Sequence, residues 1–408
     1  MQCGLLGRKL GHSYSPAIHS MLADYSYQLF EVEPDALEGF LKNTDFCGLN
    51  VTIPYKKAVI HYCDELSDTA KRLGAVNTIV RRNGKLIGHN TDYFGFMSMV
   101  QRTGICTKGK KALVLGSGGA SATAVCVLQE MGAETIVISR SGENNYDNLE
   151  KHKDAAIIVN ATPVGMYPNA EQTPLSLDIF PDLECVLDLI YNPANTTLLQ
   201  QAQKRNICNQ NGLWMLVAQA KESAQWFAGH PIEDSVMEFV YQSVRNSMES
   251  VMLIGMPGCG KSTIGKILAE KSGKTFFDAD AVIVDRAGIS ISEIFANSGE
   301  EGFRKLETEV LSELGKKSGA IISTGGGCIT RIENYRHLHL NSKIIWIKRK
   351  IEDLPTDGRP LSQVNKLCDL YAQRKPMYES FCDIAVSNDG APEDTAEQIL
   401  YLLKGEAQ

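Results

Sequence analysis

At 408 residues, with 43% apolar and 22% charged side chains, the chain reads as a soluble globular protein too long for one ordinary core, and two or three domains are expected. A net charge of −7 excludes an overall basic field for nucleic acid or an anionic membrane, so small-molecule partners must be held by local sites. The start, Met1-Gln-Cys-Gly-Leu-Leu-Gly-Arg-Lys9, is too poor in apolar residues for a signal peptide, and no run approaches the roughly 18 apolar residues of a membrane span. Eleven cysteines are scattered singly without a Cys-x-x-Cys pair, which fits a reducing cytosol rather than a disulfide set or a zinc site. The expectation is a cytoplasmic protein with no nucleic acid and no membrane partner, its oligomeric state left open.

The first ninety-five residues carry polar groups in short turns. Gly11-His-Ser-Tyr-Ser-Pro16 spaces two hydroxyls two residues apart. In an extended segment Ser13 and Ser15 point to one side, as a small polyol or carboxylate requires, and the same residues also read as a capped turn before a helix starting near Pro16. In Gly48-Leu-Asn-Val-Thr-Ile-Pro-Tyr-Lys-Lys57 an alternating strand meets a proline that cannot donate to a ladder. The strand is expected to stop at Pro54 and present Lys56 at its end, either as a general acid or as a solvated lysine. Gly74-Ala-Val-Asn-Thr78 and Gly88-His-Asn-Thr-Asp-Tyr-Phe-Gly95 read as Asx-type turns or as pocket walls, with Asp92 able to pair with a lysine.

The middle segment has the pattern of a dinucleotide fold. A buried strand at Lys111–Leu115 runs into Gly116-Ser-Gly-Gly-Ala-Ser121, then a helix ending near Gly132 and a second strand at 135–138. The loop is close to G-x-G-x-x-G, with Ser121 in the third glycine's place, and Gly116, Ser117, Gly118, Gly119 and Ala120 are its cofactor-contacting positions. About twenty residues beyond such a loop an NAD-binding fold places an acid on the ribose 2′-hydroxyl. Here stand Ser139-Arg140-Ser141, and an arginine accommodates a 2′-phosphate, so Ser139 and Arg140 favour NADP(H). Two further strands, 155–159 into Asn160-Ala-Thr162 and 185–190 into Tyr191, are expected to bring Asn160, Thr162 and Tyr191 to the cofactor crevice.

Together these motifs resemble shikimate dehydrogenase over residues 1–245: H-S-x-S-P at 12–16, N-V-T-x-P-x-K at 50–56, G-A-V-N-T at 74–78, N-T-D at 90–92 and N-G-L-x-M-L-V-x-Q-A at 211–220. The resemblance implies reversible reduction of 3-dehydroshikimate to shikimate with NADPH. It also implies that Ser13, Ser15, Asn77 and Gln219 hold the substrate's carboxylate and hydroxyls, with Thr52 beside them, and that Lys56 and Asp92 are the catalytic pair. His89 and Tyr93 stand where the family often has Asp and Gly, which leaves the pocket edge open. Gln219 follows the whole nucleotide segment, so the helix near Leu213–Ala228 is expected to cross back. That makes a substrate lobe of 1–95 plus 213–245, an NADP lobe of 96–212 and a cleft between them.

Beyond a junction with almost no spacer, an apolar run at 251–254 leads into Gly255-Met-Pro-Gly-Cys-Gly-Lys-Ser262, which fits G-x-x-x-x-G-K-[ST] at every position. Gly255, Pro257, Gly258, Cys259, Gly260, Lys261, Ser262 and Thr263 form the expected triphosphate site, with Ser262 on Mg²⁺. Ile264, Ile267 and Leu268 give the following helix an apolar face. Arg304 and Arg374 can fork a carboxylate, Asp280 can orient or deprotonate an attacking hydroxyl, and Asp278 can help position the metal. Gly325, Gly326 and Gly327 let backbone approach a substrate, and Arg359 lies in a Pro/Gly-bracketed loop suited to a lid. His337 and His339 alternate in a polar segment without a metal pattern.

Asp278-Ala-Asp280, Gly302-Phe-Arg-Lys-Leu-Glu307, Thr324-Gly-Gly-Gly327, Arg359-Pro-Leu361 and Arg374-Lys-Pro-Met-Tyr378 resemble shikimate kinase across residues 250–408. The resemblance implies a P-loop α/β domain of the nucleoside-monophosphate-kinase type, using ATP and Mg²⁺, with Lys261, Asp280 and Arg359 catalytic. The chain as a whole is expected to be α/β, a two-lobed dehydrogenase with a Rossmann-like NADP lobe at 1–247 followed by a kinase at 248–408. Its halves would run consecutive steps from 3-dehydroshikimate through shikimate to shikimate 3-phosphate. Quinate oxidation by the first half is the nearer rival. A catalytically silent sensor of the pathway is the other, and intact Lys56, Asp92, Lys261, Asp280 and both substrate arginines oppose it.

Overall fold

The structure is a computed structural model that describes residues 2–11, 13–354 and 364–405. It falls into two compact units, Met1–Asn192 with Thr196–Arg245, and Pro193–Asn195 with Asn246–Gln408. The division lies inside the helix Asp234–Met248, two residues before the boundary read from the sequence. Among the described residues no helix is long and apolar enough to cross a membrane.

The first unit holds two sheets. In one, β1 (Gln2–Gly7), β2 (Ser26–Glu31), β3 (Gly48–Val51), β4 (Glu65–Leu66), β5 (Thr78–Arg82) and β6 (Lys85–His89) lie in the order β2-β1-β3-β5-β6-β4. β2, β1 and β3 are parallel, and β5 runs antiparallel to both of its neighbours. The other is wholly parallel: β7 (Lys111–Leu115), β8 (Glu134–Ile138), β9 (Ile157–Asn160), β10 (Cys185–Asp188) and β11 (Cys208–Asn211), in the order β11-β10-β9-β7-β8. Its central strands read as continuous apolar runs because helices cover both faces: all of β9 and β10, and residues 112–115 of β7, are buried.

The helix Leu213–Ala228 follows the parallel sheet in sequence but packs on the helix Asp92–Arg102 and on β3 and β5 of the mixed sheet. Two glycines admit it. A Cβ on Gly95 would stand 2.7 Å from the carbonyl oxygen of Met215, and one on Gly48 would stand 2.1 Å from the ring of Phe227.

Of the two readings of residues 13–15 the structure takes the turn before a helix: Tyr14 has helical backbone angles and Ser15 opens the helix Ser15–Leu22, its N–H donating to Ser13 Oγ at 3.2 Å. Pro16, in the first turn, pre-sets the backbone for that start. β3 ends at Val51 rather than at Pro54, because a turn closed by Tyr55 N–H on the carbonyl of Thr52 takes over. Lys56 therefore stands within the turns at 53–57, not at a strand end.

The second unit is one parallel sheet of β12 (Ser250–Ile254), β13 (Thr275–Asp278), β14 (Ala320–Ser323), β15 (Ser342–Lys348) and β16 (Ile384–Ser387), in the order β13-β14-β12-β15-β16. Its core gathers all of residues 251–254 and 344–347 with Ile264, Leu268, Val310 and Ile399. β12 is central and fully buried, and it delivers its carboxyl end to the glycine loop that follows.

Because Phe227 is fully buried, it has no free side on which to yield. Gly48→Ala is expected to destabilise the first unit by about 1–3 kcal/mol through overpacking. In chemical denaturation the first unit's transition shifts while the second unit's keeps its midpoint, and an unmoved first transition would contradict the close approach.

Candidate active sites

The first site is built where the turn after β3, the start of the helix Asp92–Arg102 and the returning helix meet. A cavity of about 260 Å³ is lined by Ser13, Ser15, Thr52, Lys56, Asn77, Asp92 and Gln219. Tyr191, assigned from sequence to the cofactor crevice, lines this same cavity. Lys56 Nζ lies 2.6 Å from Asp92 Oδ2, with both side chains partly exposed. Asp92 occupies the first turn of its helix, where unpaired backbone N–H groups attract a negative side chain. Asn77 Nδ2 donates to Gln219 Oε1 and to Thr91 Oγ1, both at 3.1 Å, and Asn77 Oδ1 accepts from Thr91 N–H at 2.7 Å. The amide is thereby fixed in one orientation across 142 residues of sequence.

His19 also lines the cavity and escaped the sequence reading. Its ring stacks on Tyr27 at 4.0 Å, its Nδ1 is hydrogen-bonded to Tyr25 Oη at 2.6 Å, and burial pushes its pKa down to about 3. It is therefore a neutral wall, with no charge to offer a ligand. His89 and Tyr93 are not among the lining residues. His89 is stacked on Trp226 at 3.9 Å and pushed down to about 4 by burial, and Tyr93 lies under the Arg72 guanidinium at 5.1 Å.

The loop after β7 has the makings of a phosphate cradle. Gly116 has φ +107°, and a Cβ there would stand 3.1 Å from the Ala161 carbonyl oxygen. Cβ atoms on Gly118 and Gly119 would meet nothing within 4 Å, and Ser117, Gly118, Gly119 and Ala120 are exposed where the helix Gly119–Glu130 begins. Ser121, in the third glycine's place, is buried at the helix–sheet contact. Ser139 is half-buried and Arg140 exposed just past β8. These groups suit a dinucleotide: open N–H groups at a helix start for the pyrophosphate and an exposed cation for a 2′-phosphate.

Behind the cradle lies a buried carboxylate that the sequence reading passed over. Asp188, the last residue of β10, is fully buried, accepts from Asn160 Nδ2, Ile190 N–H and Thr196 Oγ1, and has its pKa pushed up to about 6 by desolvation. Asn160 Oδ1 in turn accepts from Thr162 N–H and Oγ1. A lone acid at the end of an apolar strand gives no sign in the sequence that it is buried.

In the second site, β12 opens into a loop in which Gly255, Gly258 and Gly260 all have positive φ, and a Cβ on Gly255 would stand 2.4 Å from the carbonyl oxygen of Ile347. Lys261 begins the helix Lys261–Ser272 and is buried, its Nζ donating to the carbonyls of Gly255 and Met256 at 3.0 and 3.1 Å. Ser262 Oγ donates to Asp278 Oδ2 at 2.6 Å, while Asp278 Oδ1 caps the helix Ala279–Ala287. One hydroxyl and one carboxylate suit Mg²⁺, which takes most of its remaining ligands from phosphates and water. Pro257, Gly258, Gly260, Lys261, Ser262, Thr263 and Asp280 share a cavity of about 750 Å³ with Gly326, and Cys259 is buried behind it.

The glycine run after β14 is a crossroads at which each residue faces a different neighbour. Cβ atoms would meet Glu307 and Asp280 from Gly325, Pro257 from Gly326 and the Arg304 guanidinium from Gly327. The two arginines are not among the residues lining the cavity. Arg304 is held by Glu307 at 2.8 Å and Glu300 at 3.2 Å, and Arg374 Nη1 donates to the Gly326 carbonyl at 3.2 Å. Glu307 was missed as a site residue although it lies one helical turn from Arg304; it is fully buried, and that burial raises its pKa. Arg359 lies outside the described residues.

Comparison with known proteins follows this division. The model of the shikimate dehydrogenase substrate binding domain matches residues 5–79. A shikimate dehydrogenase (NADP(+)) of Clostridium perfringens is 35% identical over 264 residues, which is 59% of this chain and 97% of that protein. The chain belongs to the shikimate dehydrogenase family. The crystal structure of a chorismate mutase/shikimate 5-dehydrogenase fusion from Clostridium acetobutylicum is similar at 34% identity and a TM-score of 0.57, covering 60% of this chain and 96% of that one. The Thermus thermophilus shikimate 5-dehydrogenase in complex with NADP(H) and shikimate is similar at 34% identity and a TM-score of 0.55, covering 60% of this chain and 99% of that one. The shikimate kinase model matches residues 257–404, so the chain is a fusion of two enzymes of one pathway.

The Asp188 carboxyl yields a pH prediction. With a folded pKa near 6 against 3.8 unfolded, the folded state binds more protons between those values, and this group's contribution to stability falls as pH rises through that window. The stability of Asp188→Asn relative to the parent is therefore expected to climb from pH 4 to 6, by up to about 3 kcal/mol. Unfolding of the first unit measured across this window checks it, and a flat difference would contradict the shift.

Proposed function

We propose that the first unit reduces 3-dehydroshikimate to shikimate with NADPH, and that the second phosphorylates the 3-hydroxyl of shikimate with ATP and Mg²⁺. The observation that carries the reading is the 2.6 Å Lys56–Asp92 pair in a cavity walled by two serine hydroxyls, an asparagine amide and a glutamine amide. Bound NADPH supplies the hydride. As charge grows on the carbonyl oxygen, the Lys56 ammonium stabilises it and delivers a proton, with Asp92 holding the ammonium in place. Ser13 and Ser15 hold the carboxylate, while Thr52, Asn77 and Gln219 hold the ring hydroxyls. Gly116, Ser117, Gly118, Gly119, Ala120 and Thr162 seat the nucleotide, with Ser139 and Arg140 at its 2′-phosphate; Asn160, placed at the crevice from sequence, is fully buried and acts from behind by shaping the turn before Thr162. Tyr191 lies at the meeting of cofactor and substrate.

In the second unit the loop Gly255–Gly260, Lys261 and Thr263 hold the triphosphate, and Ser262 and Asp278 hold Mg²⁺. Lys261, now bonded to carbonyls of its own loop, exchanges them for phosphate oxygens. Asp280 orients the attacking hydroxyl against the Gly325–Gly327 backbone. Arg304 and Arg374 take the substrate carboxylate, Glu307 keeping Arg304 aimed; Arg359 is assigned from sequence to the lid. Isolated thiols among the described residues fit a cytoplasmic enzyme.

Supplying 3-dehydroshikimate, NADPH, ATP and Mg²⁺ together is expected to yield shikimate 3-phosphate, and no product would defeat the reading in favour of a silent sensor. Lys56→Ala is expected to cut dehydrogenase turnover roughly 10²- to 10⁴-fold while phosphorylation of added shikimate persists. Loss of both activities would show that the halves are not separate catalytic units. NADPH is expected to exceed NADH in kcat/KM, with Arg140→Ala narrowing the gap; parity in the parent would remove Arg140 from the site. Quinate offered with NADP⁺ separates the nearer rival.

A further inference from the structure

Asp188 is a carboxylate that burial disfavours, at a place where a neutral residue would suffice to end a strand. Both of its oxygens are in use. Oδ1 accepts from Asn160 Nδ2 at 3.0 Å and from Ile190 N–H at 3.1 Å, and Oδ2 accepts from Thr196 Oγ1 at 2.7 Å. The contact with Asn160 is the consequential one, because Asn160 shapes the segment that follows it. Its Oδ1 accepts from Thr162 N–H at 3.1 Å and from Thr162 Oγ1 at 2.7 Å, its Nδ2 also donates to the Val164 carbonyl at 3.2 Å, and Val164 N–H donates to Thr162 Oγ1 at 3.2 Å. The turn from residue 160 to 164 is thus folded around one amide, whose orientation is held jointly by Asp188, the Val164 carbonyl and the Thr162 N–H. Of these three only Asp188 lies outside the turn, so it ties the turn to the end of the neighbouring strand.

This turn is also the wall of the glycine loop. A Cβ on Gly116 would stand 3.1 Å from the Ala161 carbonyl oxygen and 3.1 Å from Thr162 Cγ2, so a shift of residues 161–162 by a few tenths of an ångström moves the cradle with it. Ile190 N–H, held by Oδ1, immediately precedes Tyr191, whose side chain lines the first cavity.

We propose that Asp188 is a positioning residue of the dehydrogenase, acting through Asn160 to hold the turn at 160–164 in the shape that receives the nicotinamide dinucleotide. The proposal rests on the reading of the first unit as an NADP(H) enzyme. Asp188 acts at a distance: the Asn160 amide that it holds is itself fully buried, and what faces the glycine loop is the turn built on that amide. Its stability penalty above pH 6 is the price of that orientation.

The test uses the full chain and a readout other than turnover, the equilibrium Kd of NADPH followed by nicotinamide fluorescence, together with KM for 3-dehydroshikimate. Asp188→Asn keeps an oxygen for Asn160 Nδ2 but replaces a charge-assisted hydrogen bond with a neutral one, and is expected to weaken NADPH binding about fivefold. KM for 3-dehydroshikimate changes by less than about threefold, within the range of a surface substitution. Because the effect passes through Asn160, the double variant Asp188→Asn/Asn160→Ala is expected to bind NADPH no more weakly than Asn160→Ala alone. A purely structural role predicts losses that add. An unchanged Kd in Asp188→Asn, or additive losses, overturns the proposal, whereas a parent that binds no NADPH overturns the reading beneath it. Phosphorylation of added shikimate by the same preparations reports on the second unit. If Asp188→Asn fails to fold, Thr196→Val withdraws the donor from Oδ2 and carries the same test: a rise in Kd for NADPH alone supports the proposal, and no change overturns it.

Discussion

Where parallel strands end, backbone N–H groups run out of partners, and both units are organised around those leftover donors. In each, a buried central strand, β7 or β12, delivers its carboxyl end to a glycine loop and the start of a helix. Positive φ at Gly116 in one and at Gly255, Gly258 and Gly260 in the other turns the chain back before a side chain would obstruct it. An anion is the natural occupant of such a turn, since the helix start offers donors and a positive dipole end together. Strand order, helix placement and the walls of both sites follow from keeping that edge open while burying everything behind it.

The walls use close approach instead of bulk. Gly48 and Gly95 let the returning helix come down on the mixed sheet and its neighbouring helix, which is how Gln219 reaches Asn77. The run Gly325–Gly327 does the corresponding work in the second unit, separating Asp280, Pro257 and Arg304 by no more than backbone. In each case a side chain would force apart groups that the chemistry needs within a few ångströms of each other.

Charge burial is the other recurring device, and it works against stability. Glu307 is buried beside Arg304 and Asp188 behind the cofactor turn, and both carboxyls are pushed up by desolvation. A buried carboxylate with a full set of donors is a poor stabiliser but a stiff one, because every displacement leaves a donor unpaired. Lys56 and Asp92 are left partly exposed, as the proton transfer proposed for Lys56 requires.

Periodicity and glycine spacing marked the strands at 111–115, 135–138, 155–159, 185–190 and 251–254 and both glycine loops, because strands buried on both faces leave unbroken apolar runs. The helix Leu213–Ala228 came from the resemblance carried by Gln219, and the parallel strands β1, β14, β15 and β16 were not read. The half-polar edge strands β2 and β11 left none and went unread. Motif residues named the chemistry, since Lys56, Asp92 and the phosphate loop are chemically distinctive wherever they fall. Only the tertiary structure decided the rest: that Lys56 sits in a turn, that Tyr191 joins the first cavity, and that Asn160, Asp188 and Glu307 are buried. Burial and hydrogen-bond partnership depend on residues far away in sequence, as 142 positions separate Asn77 from Gln219, and no local pattern records which distant neighbour a side chain will meet.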